Sequence, residues 1–232
     1  MRIAIMQPYL FPYIGYWQLI HSVDTFVLLD DVNYICRGWM AKNRYQCDGQ
    51  ERYFFFPVCK ASQNKRICDT ELLYDRDQRE NLWKTFQYAY RHCENREVWK
   101  KDLKNMIMNR TQCFTGYAEY TIDTIDRLLG IKTQILRSSE LRQKEHPGGF
   151  EGIIQICKIL EADDYINPIG GVKLYNKELF KENGIRLYFL KTDFQHIGKQ
   201  LMDEKLDLSI IDLLYRHDVS KIKSILGQYE WL

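Results

Sequence analysis

The residues best suited to bind a ligand stand in one short stretch near the start of the chain. Residues 7–16 read QPYLFPYIGY. The stretch carries an amide and three phenol hydroxyls, those of Gln7, Tyr9, Tyr13 and Tyr16. Its prolines restrict the backbone and Gly15 lets a following helix approach closely, so these polar groups are expected in a fixed geometry. Polar groups on an aromatic floor suit a sugar or a nucleotide, and a buried aromatic hinge is the alternative interpretation.

Groups that could accept a proton occur at further places. The paired carboxylates Asp30 and Asp31 follow an apolar stretch and are either a general base or a solvated turn. His146 precedes a Pro-Gly-Gly turn and His196 falls in a polar stretch predicted to be a loop, so both are candidate acids or bases. Asp212 either faces a site from a late helix or is the exposed residue of that helix.

The segment at 167–171, which reads NPIGG, is a candidate partner for developing negative charge. The side chain of Asn167 and the backbone N–H groups of Gly170 and Gly171 could donate hydrogen bonds to an oxyanion. Glycines at the end of a strand also let a ligand touch the backbone. A tight loop without a ligand is the alternative interpretation.

The sequence indicates neither a metal ion nor a cofactor. Seven cysteines are an odd number without a CxxC pair, so neither a disulfide framework nor a zinc knuckle fits, and we interpret them as thiols. No two histidines have the i, i+4 spacing of a helical metal site. As a nucleophile, Cys36 beside Arg37 is favoured over Cys157, which is expected inside a helix, but covalent catalysis is the less favoured mechanism.

Alternating strands and helices would position these candidates. Residues 2–6 and 25–29 are predicted strands around a short helix at 15–21, and a second strand, loop, helix, strand cycle runs over 164–190. Such units pair their strands in parallel. The expected fold is α/β, with a mostly parallel, Rossmann-like sheet flanked by helices. Ligands bind beyond the carboxyl ends of parallel strands, which is where residues 7–16 would lie.

The middle of the chain has different periodicities. Residues 39–46 and 53–58 are predicted strands of a small hairpin, with turn chemistry at 47–50. Apolar residues recur at helical spacing over 77–130, which predicts three helices that form a helical subdomain or lid. Because no internal repeat or interdomain linker is visible, residues 1–232 are predicted to form a single domain.

The composition limits the partners. The 232 residues carry 33 Lys and Arg against 31 Asp and Glu, a net charge of +2 without basic blocks, so no nucleic acid is expected as a partner. No apolar run reaches the roughly 18 residues of a membrane-spanning helix. The apolar run at the start meets Gln7 before a signal-peptide core can develop, which predicts a cytoplasmic protein.

Three separated motifs resemble the WbqC-like protein family, which is found in bacterial O-antigen and related sugar gene clusters. The motifs are residues 7–16 followed by an apolar strand into Asp30-Asp31, the sequence YINPIGG at 165–171 leading to Tyr175, and the sequence LSIIDLL at 208–214. The motifs follow the order of the family, and the resemblance extends through most of the chain.

One departure from the family's pattern follows Trp39. The family usually reads Asn-Arg-Asn there, and this chain has Ala41-Lys42-Asn43-Arg44. If the family's arginine holds an anionic group, Lys42 or Arg44 must take its place, and the two cations are not equivalent in bidentate recognition. The candidate substrate-binding residues here are therefore Trp39, Lys42, Asn43 and Arg44, with the diphosphate of a sugar nucleotide as the anion.

The same N-terminal loop has a second analogy. Residues 13–16 read YIGY and stand where nucleotidylyltransferase-like enzymes carry a His-x-Gly-His motif at the phosphates of ATP. This setting favours a Rossmann-like fold. Adenylate chemistry is not favoured, because neutral phenols cannot replace imidazolium charge beside a developing phosphate anion.

The resemblance to the WbqC-like family implies a transferase of surface-polysaccharide biosynthesis of the O-antigen type. The enzyme would attach a small acyl or aminoacyl group to a nucleotide-linked amino sugar, with an acyl carrier protein or an activated amino acid as the donor. Asp30 or Asp31 would accept the proton of the attacking amine. The alternatives are a non-catalytic protein that binds a sugar nucleotide or an acyl carrier in the same pathway, and an ATP-dependent amide ligase.

Overall fold

A computed structural model describes residues 1–142, 147–201 and 205–232. The strands are β1 (Arg2–Met6), β2 (Thr25–Leu28), β3 (Lys42–Cys47), β4 (Gln50–Phe55), β5 (Val58–Cys59), β6 (Glu71–Leu72), β7 (Gln134–Arg137), β8 (Asp164–Pro168), β9 (Arg186–Thr192) and β10 (Tyr229–Trp231). The helices are α1 (Ile14–His21), α2 (Arg76–Ala89), α3 (Arg96–Ile107), α4 (Phe114–Leu129), α5 (Ser138–Leu141), α6 (Gly149–Ile159), α7 (Lys177–Glu182), α8 (Phe194–Gln200), α9 (Ile210–Arg216) and α10 (Val219–Leu226). The candidate His146 lies outside the described residues.

A six-stranded sheet forms the centre of the fold, in the order β10-β9-β8-β1-β2-β7. Its neighbours pair in parallel except β10, which runs antiparallel to β9. The expected α/β fold with a mostly parallel sheet is confirmed. Counted along the chain, the five parallel strands have the spatial order 3-2-1-4-5, so the order reverses between β1 and β8. In sheets of this kind the crevice at such a reversal is the preferred place for a ligand.

The central strands bury both of their faces. Ala4 and Phe26 belong to the larger apolar core, whereas Ile3, Ile5 and Val27 belong to a smaller one on the opposite face of the sheet. This division follows from the alternation of side chains along each strand. Because helices cover both faces, residues 3–6 of β1 and 26–28 of β2 are apolar without alternation, and the polar residues Arg2 and Thr25 stand only at the strand starts.

The hairpin and the three helices predicted for the middle of the chain are present, although the hairpin strands are Lys42–Cys47 and Gln50–Phe55, closer to the turn than the predicted 39–46 and 53–58. β3 and β4 form a hairpin whose turn residues, Asp48 and Gly49, have φ values of 50° and 77°, the left-handed conformation that a tight hairpin turn requires. The three predicted helices are α2, α3 and α4. α4 ends at Gly130, whose φ of 68° is typical of a helix C-cap. The interpretation of these helices as a lid remains a prediction.

Two elements near the end of the chain differ from expectation. The prediction of a loop around His196 was wrong, because residue 196 lies on α8. The local signal was Asp193, whose side chain accepts a hydrogen bond from the His196 backbone N–H and thereby caps the helix. β10 was not predicted at all. It is three residues long, and its pairing partner β9 lies far away in the sequence.

Candidate functional site

A cavity of about 670 Å³ opens at the carboxyl edge of the sheet, between the ends of β1 and β8. The loop after β1 supplies Gln7, Pro8, Tyr9 and Tyr13, and the start of α1 supplies Gly15 and Tyr16. Other segments supply Met6, Leu19, Ile35, Gly38, Trp39, Met40, Arg44, Pro168, Phe194 and Asp207. The cavity therefore lies at the reversal of strand order, and six of the predicted substrate-binding residues line it, namely Gln7, Tyr9, Tyr13, Tyr16, Trp39 and Arg44.

The tyrosines of the cavity are neutral hydrogen-bonding groups. Burial raises the pKa of Tyr9, Tyr13 and Tyr16, so their phenols keep their protons at neutral pH. The rings of Tyr9 and Tyr16 meet edge to face at 6.2 Å, and the Tyr13 ring stacks on Phe194 at 6.3 Å. The Tyr16 hydroxyl donates to the backbone oxygen of Gln7 over 3.0 Å. Aromatic contacts of this kind restrict the orientation of the rings that a ligand would meet.

Strong backbone contacts hold the loop after β1. Phe11 has a φ of 49°, in the left-handed region, which costs a non-glycine residue roughly 1–2 kcal/mol. The Phe11 carbonyl accepts hydrogen bonds from the Asn43 side-chain amide at 2.5 Å and from the Ser209 hydroxyl at 2.8 Å. The Pro12 carbonyl accepts from the Trp17 indole at 3.0 Å. These contacts compensate the strained turn and fix the ligand-facing side chains before a ligand arrives.

Glycine is required at position 15 by a close contact. A Cβ atom there would lie 2.5 Å from Cε2 of Tyr13 and 2.9 Å from Oγ1 of Thr192. The Tyr13 ring therefore packs directly against the backbone of α1, with β9 on the other side. The sequence predicted that Gly15 lets a following helix approach closely, whereas Gly15 lies within α1 and the group that approaches it is the ring of the cavity's own Tyr13.

At the rim of the cavity, charged side chains form ion pairs in which the positive and negative charges balance. The Arg44 guanidinium donates to the Asp207 carboxylate at 2.6 Å and to the Glu51 carboxylate at 2.9 Å. Lys205 donates to the same Glu51 at 2.6 Å. The Lys42 ammonium instead lies 3.9 Å from the ring centroid of Tyr53. Asn43, whose backbone lies between Lys42 and Arg44, turns inward and supports the loop after β1.

Asp30 and Asp31 lie outside the cavity lining and are buried. The Ser138 hydroxyl donates to Asp31 at 2.6 Å, and Nε of Arg142 donates to the same carboxylate at 2.8 Å. The Asp31 and Arg142 side chains are only 2% and 1% exposed. Asp30 accepts from the Ser139 backbone N–H at 2.9 Å and from its hydroxyl at 2.9 Å. The two carboxylates thus join the end of β2 to the start of α5.

The end of β8 contributes its last residue, Pro168, to the cavity. The Asn167 amide donates to the Tyr165 hydroxyl at 2.6 Å, and its Oδ1 occupies the space of a Cβ at Gly171, 1.9 Å from the ideal position. Gly171 is therefore needed for the packing of Asn167. A Cβ at Gly170 would meet open space. Tyr175 packs edge to face against Tyr165 at 6.0 Å, in the smaller core.

Asp212 and His196 also lie away from the cavity lining. Asp212 is 3% exposed, so the interpretation as an exposed helix residue was wrong. Its carboxylate accepts from the Tyr90 hydroxyl at 2.7 Å and from the Arg216 guanidinium at 2.8 Å, and it joins α9 to α2. Ser209 caps α9 by accepting from the Ile211 N–H. His196 is exposed on α8, two residues after the cavity residue Phe194.

Sequence reasoning missed several residues of the cavity. Phe194 follows β9 in the way that Gln7 follows β1, so the rule that ligands lie beyond strand ends could have identified it. Asp207 had no local signal, because its contact with Arg44 joins residues 163 positions apart. The connection between β2 and β3 supplies Ile35, Gly38 and Met40. None of them directly adjoins the end of β2 or the start of β3.

The described residues contain neither a metal-binding cluster nor a helix that could span a membrane. Within residues 1–142, 147–201 and 205–232, no group of three or more His, Cys, Asp and Glu side chains could hold a metal ion. The helices in the same ranges are too short or too polar to span a bilayer.

Comparison with known proteins gives the family. The family model described as the WbqC-like protein family matches residues 7–224. The chain belongs to this family. It is also similar to the uncharacterized protein Rv1507c of Mycobacterium tuberculosis (strain ATCC 25618 / H37Rv), with 24% identity over 225 residues that cover 92% of this chain and 93% of that protein. No solved structure matches the chain significantly. The WbqC-like match begins at Gln7, the first residue of the loop that lines the cavity.

Proposed function

We propose that this WbqC-like protein binds a nucleotide-linked amino sugar in the cavity after β1 and transfers a small acyl or aminoacyl group to the sugar's amine. The reaction would serve the biosynthesis of a surface polysaccharide of the O-antigen type. The observation that carries the proposal is the aromatic cavity of about 670 Å³ at the reversal of strand order. Membership of the WbqC-like family supports the pathway.

The lining offers both kinds of contact that a sugar uses. Tyrosine rings offer flat apolar faces for the C–H groups of a pyranose, and their hydroxyls exchange hydrogen bonds with the sugar hydroxyls. Because burial raises the pKa of Tyr9 and Tyr13, no phenolate competes with an incoming anionic ligand. The Gln7 side chain makes no hydrogen bond to the described residues and is available to a ligand.

Transfer requires donors for a tetrahedral oxyanion and a base for one proton. The sugar amine attacks the acyl carbon, a C–N bond forms, and the bond from that carbon to the donor's sulfur or phosphate oxygen breaks. The leaving group departs with the electron pair, and the amine gives its proton to a base. The Gln7 amide and the Tyr9 hydroxyl are donors for the tetrahedral oxyanion. Asp207 is the carboxylate of the described lining that could accept the proton.

A second function is favoured by one observation. Asp207 already accepts a hydrogen bond from Arg44 at 2.6 Å, and Asp30 and Asp31 are buried beside Ser138 and Arg142. A cavity that binds a sugar nucleotide without a ready proton acceptor would serve a non-catalytic protein of the same pathway. An ATP-dependent amide ligase is the third candidate, and it requires pyrophosphate or phosphate release.

Mass spectrometry distinguishes these functions. A nucleotide-linked amino sugar is incubated with the protein and with aminoacyl or acyl thioesters and acyl phosphates. We expect a mass gain that depends on the protein, and a decrease of about a hundredfold in its rate for Gln7→Ala, the usual cost of one oxyanion donor. Gln63→Ala is the matched control, because Gln63 is exposed and outside the cavity lining. Binding without a mass gain for every donor would support the binding protein, and a gain that requires ATP would support the ligase.

A further inference from the structure

The outer face of the β3–β4 hairpin exposes several large aromatic side chains. Trp39, Tyr53 and Phe55 are 51%, 55% and 63% exposed. The antiparallel pairing places Lys42 opposite Phe55 and Arg44 opposite Tyr53, so these four side chains share one face of the hairpin. Exposed aromatic side chains that cluster with cations on one face indicate a binding surface, because isolated apolar residues are the normal case on a protein surface.

This hairpin face is continuous with the cavity. Trp39 and Arg44 belong both to the hairpin face and to the lining of the cavity. The Trp39 ring lies 6.2 Å from the Tyr53 ring, and the Lys42 ammonium lies 5.6 Å from the Trp39 centroid. Alternate residues along a strand are about 7 Å apart, so Lys42, which lies outside the cavity lining, is about 7 Å along β3 from Arg44. A ligand longer than the cavity would emerge onto this face.

The charges of the two regions differ. Inside the cavity lining, Arg44 is balanced by Asp207 at 2.6 Å, and Glu51 also binds it. On the hairpin face, the Lys42 ammonium rests on the Tyr53 ring at 3.9 Å and makes no ion pair with the described residues. A cation–π contact fixes the position of an ammonium without cancelling its charge. A diphosphate would therefore find its uncompensated positive charge outside the cavity.

We infer that the hairpin face is the subsite for a nucleoside diphosphate, with the diphosphate against Lys42 and the base stacked on the rings of Tyr53 and Phe55. The sugar attached to the diphosphate then enters the cavity past Trp39. Base stacking on an aromatic side chain is strong enough to contribute measurably to affinity. The inference rests on the proposed function only for the sugar that the nucleotide carries.

Calorimetric binding of three probes tests the subsite. The probes are uridine diphosphate, uridine diphosphate N-acetylglucosamine and free N-acetylglucosamine. We expect Lys42→Gln and Tyr53→Leu each to weaken the binding of uridine diphosphate about tenfold. Lys42→Gln removes a charge-assisted contact, and Tyr53→Leu removes a stacking surface. Both variants should leave the binding of the free sugar unchanged.

Two matched controls use exposed side chains far from the cavity in the sequence. Lys101→Gln removes an exposed lysine of α3, and Tyr88→Leu removes a tyrosine of α2 that is 56% exposed and carries the Arg91 guanidinium at 4.2 Å. Neither control should change the affinity for uridine diphosphate. Equal effects of the hairpin variants and their controls, or no binding of uridine diphosphate to the wild-type protein, would overturn the subsite.

The outcomes separate this inference from the proposed transfer. If uridine diphosphate binds and responds to Lys42→Gln while no donor yields a mass gain, the subsite stands and the transferase fails. If acyl transfer to a nucleotide-linked amino sugar occurs and neither hairpin variant changes KM, the transferase stands and the subsite fails.

Discussion

The loops after β1 and β2 leave the same edge of the sheet from adjacent strands, and their surroundings are opposite. After β1, Gln7 and Tyr9 line an open cavity. After β2, Asp30 and Asp31 are buried against α5 and Arg142. Both loops had been candidate parts of one site because carboxyl ends of parallel strands meet there. The difference shows that position in the sheet brings residues to the edge, but the charge of the side chains decides whether they meet solvent or protein.

The physical reason is the cost of an unpaired charge. A buried carboxylate must be paired and hydrogen-bonded, and Asp31 is paired with the Arg142 guanidinium and accepts a hydrogen bond from the Ser138 hydroxyl. A neutral phenol or amide costs less free energy than a carboxylate when it has no partner in the protein, so it can remain at the wall of a cavity with water as its partner. The neutral loop after β1 is thus suited to exchange partners with a ligand, whereas the charged loop after β2 has its partners built in.

The largest expected effect comes from breaking the enclosed pair. Asp31→Asn leaves the Arg142 guanidinium, 1% exposed, without its counter-charge, and we expect a loss of about 3–5 kcal/mol in the free energy of unfolding. The control is Asp207→Asn, which breaks the Arg44 pair at the rim, where the Asp207 side chain is 57% exposed, and should cost less than about 1 kcal/mol. Urea unfolding measures both values. Similar losses for the two variants would contradict the comparison.

Much of the fold was predictable because its signals are local. Alternating strands and helices predicted the parallel sheet, the residues around Gly49 predicted the hairpin turn, and helical spacing predicted α2 to α4. The prolines and tyrosines after β1 predicted a binding loop, and the cavity is lined by that loop.

The rest depends on contacts between distant residues. Asp31 and Arg142 are 111 positions apart, so the sequence could not show that the carboxylate is neutralised inside the protein. Likewise, the sequence could not show that Asp212 accepts a hydrogen bond from Tyr90, because the two residues are 122 positions apart. In both cases an aspartate, a residue type suited to catalysis, instead joins two elements of the fold. Its partner is distant in the sequence and can be identified only in the folded chain.

A third carboxylate sharpens the comparison, because it is buried without partners. Both carboxylate oxygens of Asp126 on α4 lack a hydrogen bond to the described residues. Burial, with a smaller contribution from Asp123, raises the pKa of Asp126 to about 8. Asp126 is therefore expected to be protonated in the folded protein at pH 7. Its charge, if formed, would act on Tyr16 of the cavity.

The sign of the pH dependence follows. Between the ordinary aspartate pKa of about 4 and pH 8, the folded chain holds one more proton than the unfolded chain. The free energy of unfolding therefore falls by about 1.4 kcal/mol for each unit by which the pH rises. From pH 5 to pH 7 this amounts to about 3 kcal/mol. Asp126→Asn should remove the decrease, as measured by urea unfolding at both pH values. Asp102→Asn on α3 is the control and should keep the wild-type slope, and an unchanged slope for Asp126→Asn would refute the assignment.

An intermediate effect is expected inside the cavity wall. Gly15→Ala places a Cβ 2.5 Å from the Tyr13 ring, so the ring must move, and we expect a loss of about 1–3 kcal/mol in unfolding free energy together with weaker sugar binding. Gly198→Ala on α8 is the control, because a Cβ there meets nothing within 4 Å and alanine favours a helix by up to about 1 kcal/mol. Opposite signs for the two substitutions would support the close packing of Tyr13, and equal signs would contradict it.

The smallest expected effect tests how the open loop keeps its shape. Ser209→Ala removes the hydroxyl that donates to the Phe11 carbonyl at 2.8 Å and caps α9, while the Asn43 amide still binds the same carbonyl. Loss of a cap costs about 1 kcal/mol, and we expect a decrease of that size in urea unfolding. Ser224→Ala is the control, because its hydroxyl is exposed, donates within α10 and accepts only an exposed hydrogen bond of 3.3 Å from Gln200, so its loss should leave stability nearly unchanged. Since one of two bonds to the strained residue remains, sugar affinity measured by calorimetry should fall less than for Gly15→Ala. A larger fall in affinity would mean that the Ser209 bond, and not the packing of Tyr13, holds the cavity open.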